Sequence, residues 1–187
     1  MSKLLILGSI AFDQIETPFG KSNSIMGGSA NYIALAAAQF EIPAAVVSIV
    51  GSDYPQEYLN LLTERRIDVS GIEIVQGGKT LFWSGKYHND MNQRDTLDTQ
   101  LNVINDFKPV VPEAFRDAEV LLLGNLHPSL QMDVLNQMTQ RPKLVVMDTM
   151  NYWMNHTWDL LMEVIARVDV LTINDEEARQ LTKEYSL

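Results

Sequence analysis

The sequence predicts an α/β fold, with a mainly parallel sheet between two layers of helices. Short apolar runs without polar interruption recur along the chain, and such runs are typical of strands that are buried on both faces. Stretches with helical periodicity separate these runs, and this alternation predicts parallel strands joined by crossover helices. The length of 187 residues suits one domain or slightly more.

The individual elements follow from the same pattern. The predicted strands are LLILGSI (4–10), AAVVSIVG (44–51), EVLLLGN (119–125), KLVVMDT (143–149) and VDVLTIN (168–174). The predicted helices cover residues 29–40, 54–65, 128–140 and 156–168, and NDEEARQL (174–181) begins a last helix.

One segment departs from this alternation. From Gly71 to about Val103, two β-rich runs, IEIV and TLFWSGKY, flank QGGK, which predicts an antiparallel hairpin. We interpret residues 12–26 and 71–104 as lid segments inserted in a single domain that covers residues 1–187. The hairpin either covers the core or closes over a ligand site or a dimer partner, and the pattern favours neither.

The composition excludes several classes of function. The formal charge is −10 and no basic run occurs, so the surface would repel nucleic acid. There is no cysteine, and the three histidines have no metal-ligand spacing. No stretch approaches the ~18 apolar residues of a membrane span, and nothing resembles a signal peptide. These observations predict a cytoplasmic protein that binds neither nucleic acid nor membranes.

Two nucleotide-binding fingerprints are absent from the sequence. A dinucleotide-binding turn needs G-x-G-x-x-G after the strand, but GSIAFDQ contains one glycine. PFGKS resembles the end of a P-loop, yet Ile15 stands where the first glycine is required. A Rossmann-type oxidoreductase and a Walker-type ATPase are therefore disfavoured.

The stretch GGSAN, from Gly27 to Asn31, stands at the start of an alanine-rich helix. Paired glycines let a ligand approach the free N–H groups of the first turn, where Asn31 would aim its amide at ligand hydroxyls. In the alternative, Gly27 and Gly28 form an ordinary turn and Ser29 caps the helix. Asp13, just past the first strand, either accepts two hydroxyl hydrogen bonds or bonds its own backbone in a turn.

Further polar residues end the later strands. Asn125 ends EVLLLGN, Asp148 ends KLVVMD, and Asn174 ends the last strand. Because the carboxyl ends of parallel strands meet at one edge of a sheet, these side chains predict a polar rim. Asn174 and Glu177 have the spacing of a capping box, and in the alternative they organise a hydrated Mg²⁺ near a phosphate.

Taken in order, these motifs resemble the ribokinase family of PfkB-type carbohydrate and nucleoside kinases. The resemblance rests on GSIAFD (8–13), GGSAN (27–31) followed by VGSD (50–53), the lid insertion and NDEE (174–177), and it spans essentially the whole chain. It implies a ribokinase-like three-layer α/β/α sandwich with a mainly parallel sheet and a small antiparallel β lid.

The resemblance also implies an activity, the ATP-dependent phosphorylation of a hydroxyl of a sugar or nucleoside, with Mg²⁺ offsetting phosphate charge. The lid would exclude water, and lid strands in this family often pair between subunits, which favours a homodimer. The residues expected at the substrate are Asp13, Gly27, Gly28, Asn31 and Asn125. The residues expected to organise Mg²⁺ and phosphate are Asn174 and Glu177.

Two features depart from the family pattern. The G-x-G-D segment, whose aspartate is the family's catalytic base, does not occur in these residues, so we expect the C-terminal part of the fold to be missing. We therefore expect a substrate-binding half with little or no phosphotransfer activity alone or, alternatively, a non-catalytic sugar- or nucleoside-binding module. DTMNYW stands where some sugar kinases carry D-x-N-x-R, which leaves the substrate open.

Overall fold

The computed structural model describes residues 3–91 and 94–186. The strands are, in chain order, β1 (Leu4–Leu7), β2 (Ala11–Thr17), β3 (Gly20–Lys21), β4 (Ile25–Gly27), β5 (Ala44–Gly51), β6 (Ile67–Val75), β7 (Leu81–Tyr87), β8 (Arg94–Gln100), β9 (Val120–Leu123), β10 (Leu144–Asp148) and β11 (Val170–Thr172). The helices are α1 (Ser29–Ala38), α2 (Gln56–Glu64), α3 (Pro128–Gln137), α4 (Asn151–His156), α5 (Trp158–Ile165) and α6 (Asp175–Thr182).

The main sheet is parallel and has the strand order β11-β10-β9-β1-β5-β6. Side chains alternate across a strand, so Leu5 and Leu7 of β1 enter one core while Leu4 and Ile6 enter the other. The first core includes side chains of α3 and α5, and the second includes side chains of α1 and α2. Helices therefore cover both faces of the sheet, which confirms the predicted α/β class.

A second, smaller sheet, which we call the lid, has the order β3-β2-β7-β8, with β4 paired to β2. β2 and β7 run parallel with Asp13 opposite Trp83, whereas the other pairs in the lid are antiparallel. The lid is therefore mixed rather than purely antiparallel. Its outer strand, β8, is exposed along its whole length.

The predicted hairpin at QGGK is wrong. IEIV belongs to β6, which pairs in parallel with β5 up to the pair Gly51 and Val75 and forms one edge of the main sheet. The chain then crosses to the lid, where it forms β7. Local β propensity identifies a strand but not its partner, because pairing depends on long-range packing. Residues 71–75 thus lie in the main sheet, although they fall inside the predicted lid segment 71–104.

The crossing between the two sheets is fixed by the VGSD segment. The carboxylate of Asp53 accepts hydrogen bonds from the backbone N–H of Thr80 (2.8 Å) and from its hydroxyl (2.7 Å). The same hydroxyl oxygen accepts the N–H of Gly51, at 3.0 Å. The end of β5 is therefore tied to the residue that precedes β7.

The helices are shorter than the sequence predicts, and one was not predicted at all. In the interval 156–168, His156 ends α4 and α5 begins only at Trp158, because Thr157 between them is not helical, with φ −140° and ψ 39°. The preceding residues form α4, where the sequence predicted none. Within the two described ranges, no helix has the length and apolar character needed to cross a bilayer.

Candidate functional site

The predicted polar rim lies along one edge of the main sheet. β11, β10, β9 and β1 are successive neighbours, and their carboxyl ends lead to Asn174, Asp148, Asn125 and the loop before Asp13. Adjacent strands are about 4.8 Å apart, so Asn174, Asp148 and Asn125 occupy successive positions along this edge, and the chain continues from the next strand, β1, to Asp13 in β2. The parallel topology thus brings together side chains that are up to 161 positions apart in the chain.

The glycine pair at the start of α1 makes room for protein atoms. Gly28 has φ 90° and ψ 144°, and a Cβ added there would overlap the carbonyl group of Ser9. That carbonyl accepts the N–H of Ala30 (3.0 Å), and the Ser9 hydroxyl accepts the N–H of Ser29 (3.2 Å). Two donors of the first turn are therefore bonded within the protein and are not free for a ligand, contrary to our expectation from the sequence.

The alternative role for Ser29, that of a helix cap, is also wrong. Gly28 is the N-cap, and no side chain caps α1. The Ser29 hydroxyl instead accepts the N–H of Ser9 at 3.3 Å. It lies against Gly8 and Gly124, where an added Cβ would approach it to 2.7 Å and 2.5 Å. The ends of β1 and β9 thus lie directly against the start of α1.

Asp13 is held above Gly27. A Cβ added to Gly27 would overlap the Asp13 carboxylate, so the side-chain-free residue creates the space that this carboxylate occupies. Asp13 is half-buried, and desolvation raises the pKa of its carboxyl group. Within residues 3–91 and 94–186 no group donates a hydrogen bond to this carboxylate, so it is not the backbone-bonded turn residue of the alternative prediction.

Asn31 is fully buried, and its side-chain donor is bonded to protein atoms. Its Nδ2 donates to the carbonyl of Gly27 (2.6 Å) and to the hydroxyl of Tyr54 (3.1 Å). Its Oδ1 is buried and has no hydrogen-bond partner in the described part of the chain. Burial raises the pKa of Tyr54 to about 12, and its ring lies 5.5 Å from that of Phe12. Asn31 therefore supports the Gly27 backbone beneath Asp13.

Asn125 is bonded to an aromatic cluster. Its Oδ1 accepts the indole N–H of Trp153 at 2.8 Å. The Trp153 ring packs edge-on against His127 (5.1 Å) and Tyr152 (4.9 Å). His127 in turn caps α3, with its Nδ1 accepting the N–H of Ser129 at 3.1 Å. The Asn125 oxygen thus accepts one hydrogen bond, while no acceptor among the described residues takes the N–H groups of its amide nitrogen.

A buried glutamine connects the ends of β9 and β10. The Nε2 of Gln131 donates to the carbonyls of Gly124 (3.0 Å) and Asp148 (3.1 Å). The Asp148 carboxyl group is partly buried, and burial followed by the nearby charge of Glu177 raises its pKa to about 6. The sequence placed Asp148 at the end of a strand but predicted no role for it. Its desolvation and its proximity to Glu177 depend on the tertiary fold, so the sequence could not show them.

Asn174 and Glu177 form the capping box that their spacing predicts. The Glu177 carboxylate accepts the N–H of Asn174 (3.0 Å), and the Asn174 side chain accepts the N–H of Glu177 (2.8 Å). The charge of Glu177 nevertheless acts on Asp148, so the two carboxylates are close enough to interact. The box therefore accounts for the motif locally but leaves open a second role for the Glu177 charge.

Asp148 and Glu177 offer carboxylate oxygens, which are ligands that Mg²⁺ accepts. The described residues contain no group of three or more His, Asp or Glu side chains arranged to hold a metal ion. Mg²⁺ usually keeps several waters and binds through one or two carboxylates together with substrate phosphates. Two neighbouring carboxylates at an exposed edge fit such a hydrated ion, although they could not enclose it alone.

Two clefts lie away from this edge. One, of about 580 Å³, lies at the outer end of the lid and is lined by residues that include Glu16, Lys86 and His88. The other, of about 340 Å³, lies between α4, α5 and α6. Neither is lined by a predicted site residue; those residues lie at the carboxyl ends of the main-sheet strands, at the start of α1 and on the lid.

Comparison with known proteins gives a consistent result. Residues 1–186 match the pfkB family of carbohydrate kinases. The chain is 28% identical over 191 aligned positions to the cytidine kinase of Thermococcus kodakarensis, covering 97% of this chain and 65% of that protein. The chain thus spans slightly less than two thirds of the length of this relative.

Solved structures share the fold. The nucleoside kinase of Methanocaldococcus jannaschii, an archaeal member of the ribokinase family, matches with a TM-score of 0.77 and 17% identity over 98% of this chain and 64% of that chain. The nucleoside kinase of Burkholderia thailandensis, in complex with inosine, matches with a TM-score of 0.75 and 17% identity over 96% of this chain and 63% of that chain.

Proposed function

Because the chain belongs to the pfkB family of carbohydrate kinases, we propose that it serves the ATP-dependent transfer of a phosphoryl group to a hydroxyl of a sugar or nucleoside. The observation that carries this proposal is the Asp13 carboxylate, which is half-buried over Gly27 and has no hydrogen-bond donor among the residues that the structure describes. A carboxylate is an acceptor-only group, and a polyol offers the hydroxyl donors that it lacks. The cytidine and nucleoside kinase relatives support this substrate class.

The residues around Asp13 form the rest of the proposed substrate site. Gly27 leaves room for the Asp13 carboxylate and Gly28 leaves room for the Ser9 carbonyl, so the glycine pair contributes by letting these groups pack closely. The Asn125 amide nitrogen donates to a substrate oxygen. We give Asn31 a positioning role through its 2.6 Å hydrogen bond to the Gly27 carbonyl. Since the lid carries Asp13 itself, movement of the lid would bring this carboxylate to the substrate and exclude water that competes for the phosphoryl group.

The phosphate end of the site is assigned to the neighbouring strand ends. Asp148 and Glu177 would hold a hydrated Mg²⁺, and Asn174 keeps Glu177 in place through the capping box. When bound with ATP, Mg²⁺ supplies positive charge that offsets the charge of the phosphates. Asp148 must be ionised to contribute, which its pKa of about 6 permits at neutral pH.

The general base is the part of the reaction that we do not assign to these residues. The 187 residues contain no G-x-G-D sequence, which supports a division in which they provide substrate and phosphate binding. We therefore propose that this chain alone transfers phosphate slowly or not at all. ATP as the donor favours a cytoplasmic location.

The lid edge supports a homodimer. All seven residues of β8 are exposed, and Leu97 of this strand is 55% exposed. An exposed edge strand presents unpaired backbone groups that another strand can bind. We propose that the β8 strands of two copies associate in this way.

Substitution of Asp13 tests the proposal. In Asp13→Asn the side chain keeps its shape but loses its charge and half of its acceptor capacity. We therefore expect about a 100-fold fall in the substrate affinity of this chain and in ATP-dependent phosphorylation by an enzyme that also contains the general base. Asp98→Asn, on the exposed strand β8, is the matched control. Unchanged kinetics in Asp13→Asn would exclude the site. Substrate binding without ATP turnover, even in an enzyme that also contains the residues supplying the general base, would instead identify a non-catalytic binding module.

A further inference from the structure

The face of the lid that carries Asp13 also carries a row of groups that the proposed reaction does not use. Asp13 on β2 pairs with Trp83 on β7, and residues paired in this way point to the same face of a sheet. Gly85 lies two positions further along β7 and pairs with Thr96 on β8. Arg94 begins β8 and pairs with Tyr87, again on this face.

The indole ring of Trp83 lies over Gly85. A Cβ at Gly85 would overlap the six-membered ring, so the indole packs directly against the backbone of this glycine. The indole N–H is directed at the Thr96 hydroxyl at 3.4 Å, which defines the direction of the ring across the sheet. Trp83 is only half-buried, although it is the largest side chain on this face.

A second planar group accompanies the indole. The guanidinium carbon of Arg94 lies 6.0 Å from the Trp83 ring centroid, at the outer limit of a cation–π contact. Arg94 itself is exposed. Nucleobases stack on aromatic rings, indole among them, and on the guanidinium plane of arginine. The pair therefore offers a stacking surface beside the carboxylate proposed to hold hydroxyls.

The spacing of the row indicates what binds there. The Cα of Gly85, beneath the indole, lies roughly 8 Å from that of Asp13, given a rise of about 3.3 Å per residue and a strand spacing of about 4.8 Å. A single sugar ring is too short to contact both groups fully, whereas a sugar that carries a base spans them. We propose that Trp83 and Arg94 form a nucleobase subsite and that the acceptor is a nucleoside rather than a free sugar.

This inference rests on the proposed function, since it places the sugar hydroxyls of the nucleoside at Asp13. Binding is measured by titration calorimetry with cytidine, inosine and D-ribose. We expect both nucleosides to bind at least tenfold more tightly than ribose, because stacking of one base typically contributes about that factor or more. Trp83→Leu should remove this advantage and leave ribose affinity unchanged, whereas Trp83→Phe should retain most of it.

Two further variants keep the test decisive. Trp158→Leu, on α5, removes a partly exposed tryptophan outside the lid and should change neither affinity. Arg94→Gln changes an exposed residue that cannot disturb the core, so a severalfold loss of nucleoside affinity alone supports the subsite even if Trp83→Leu fails to fold.

The outcomes separate the inference from the proposed function. Equal affinity of the wild-type protein for ribose and nucleosides, or a loss in Trp83→Leu that is the same for both, would overturn the nucleobase subsite and leave a sugar site at Asp13 intact. Absence of binding by all three compounds would overturn the subsite and the proposed substrate site together.

Discussion

The importance of the position of the Asp13 carboxylate over Gly27 can be tested by adding a single methyl group to Gly27. In Gly27→Ala, the new Cβ overlaps the Asp13 carboxylate. Gly27 is not among the glycines with positive φ, so the backbone accepts alanine without strain. The overlap must therefore be relieved by movement of the carboxylate.

The size of this movement sets the expected effect. Atoms in ordinary contact lie about 3.5–4.0 Å apart, so the Asp13 carboxylate must retreat by about 1 Å or more. A misplacement of about 1 Å lowers the rate of an enzyme by about 100-fold. Stability should change little, because Gly→Ala at a permissive position contributes about 0.4–1 kcal/mol through the unfolded state, which offsets the displacement of one side chain.

The assay compares two quantities: kcat/KM for ATP-dependent phosphorylation by an enzyme that joins this chain to residues supplying the general base, and the thermal unfolding midpoint. We expect Gly27→Ala to lose about 100-fold in kcat/KM while its Tm stays within about 4 °C of the wild type. Gly20→Ala is the control, since a Cβ added there would meet nothing within 4 Å in the described part of the chain beyond its own neighbours in sequence. In an Asp13→Ala background, Gly27→Ala should have no further effect, because the group that it displaces is gone. A folded Gly27→Ala protein with wild-type kinetics would show that the position of this carboxylate does not matter.

Three further predictions concern the start of α1 and the phosphate end of the site. Gly28→Ala should lower the free energy of unfolding, measured in urea, by about 3 kcal/mol, because the substitution combines positive φ with overlap of a carbonyl group. Gly77→Ala, with φ 71° and open surroundings, should lower it by about 1 kcal/mol. Equal losses in the two variants would contradict the overlap at Gly28. The pKa of Asp148 is raised from 3.8 to about 6, so ionisation of its carboxyl group destabilises the native state. The gain in the free energy of unfolding of Asp148→Asn over the wild type should therefore grow between pH 4 and about pH 6 and then level off. A gain that does not change with pH would refute the pKa shift. Glu177→Gln keeps an acceptor for the capping box but loses the negative charge. The free energy of unfolding should therefore change by less than about 0.5 kcal/mol, while the Mg²⁺ concentration needed for half-maximal activity rises. An unchanged Mg²⁺ requirement would mean that the motif serves only as a helix cap.

The elements that the sequence predicted well are those with a strong local pattern. Buried runs such as LLIL and AAVVSIVG are apolar on both faces, so they predict central strands without knowledge of their partners. The capping box at Asn174 and Glu177 was predicted equally well, because both of its hydrogen bonds lie within a segment of four residues.

The predictions from the sequence that were wrong concern interactions between segments that are distant in the chain. IEIV has the composition of a strand in either sheet, and only pairing with β5 decides that it completes the main sheet. The N–H groups at the start of α1 looked free for a ligand, because nothing in GGSAN shows that Ser9, about 20 positions earlier, bonds two of them.

By itself, the sequence determined the α/β class, the order of the motifs and the edge at which the polar residues gather, because hydrophobic period and strand direction are local properties. The tertiary structure alone decided how these residues are used. It placed Asp13 over Gly27, buried Asn31 against Tyr54 and set Trp83 beside Asp13. Desolvation, steric room and strand register arise only when distant segments pack, so no local pattern encodes them.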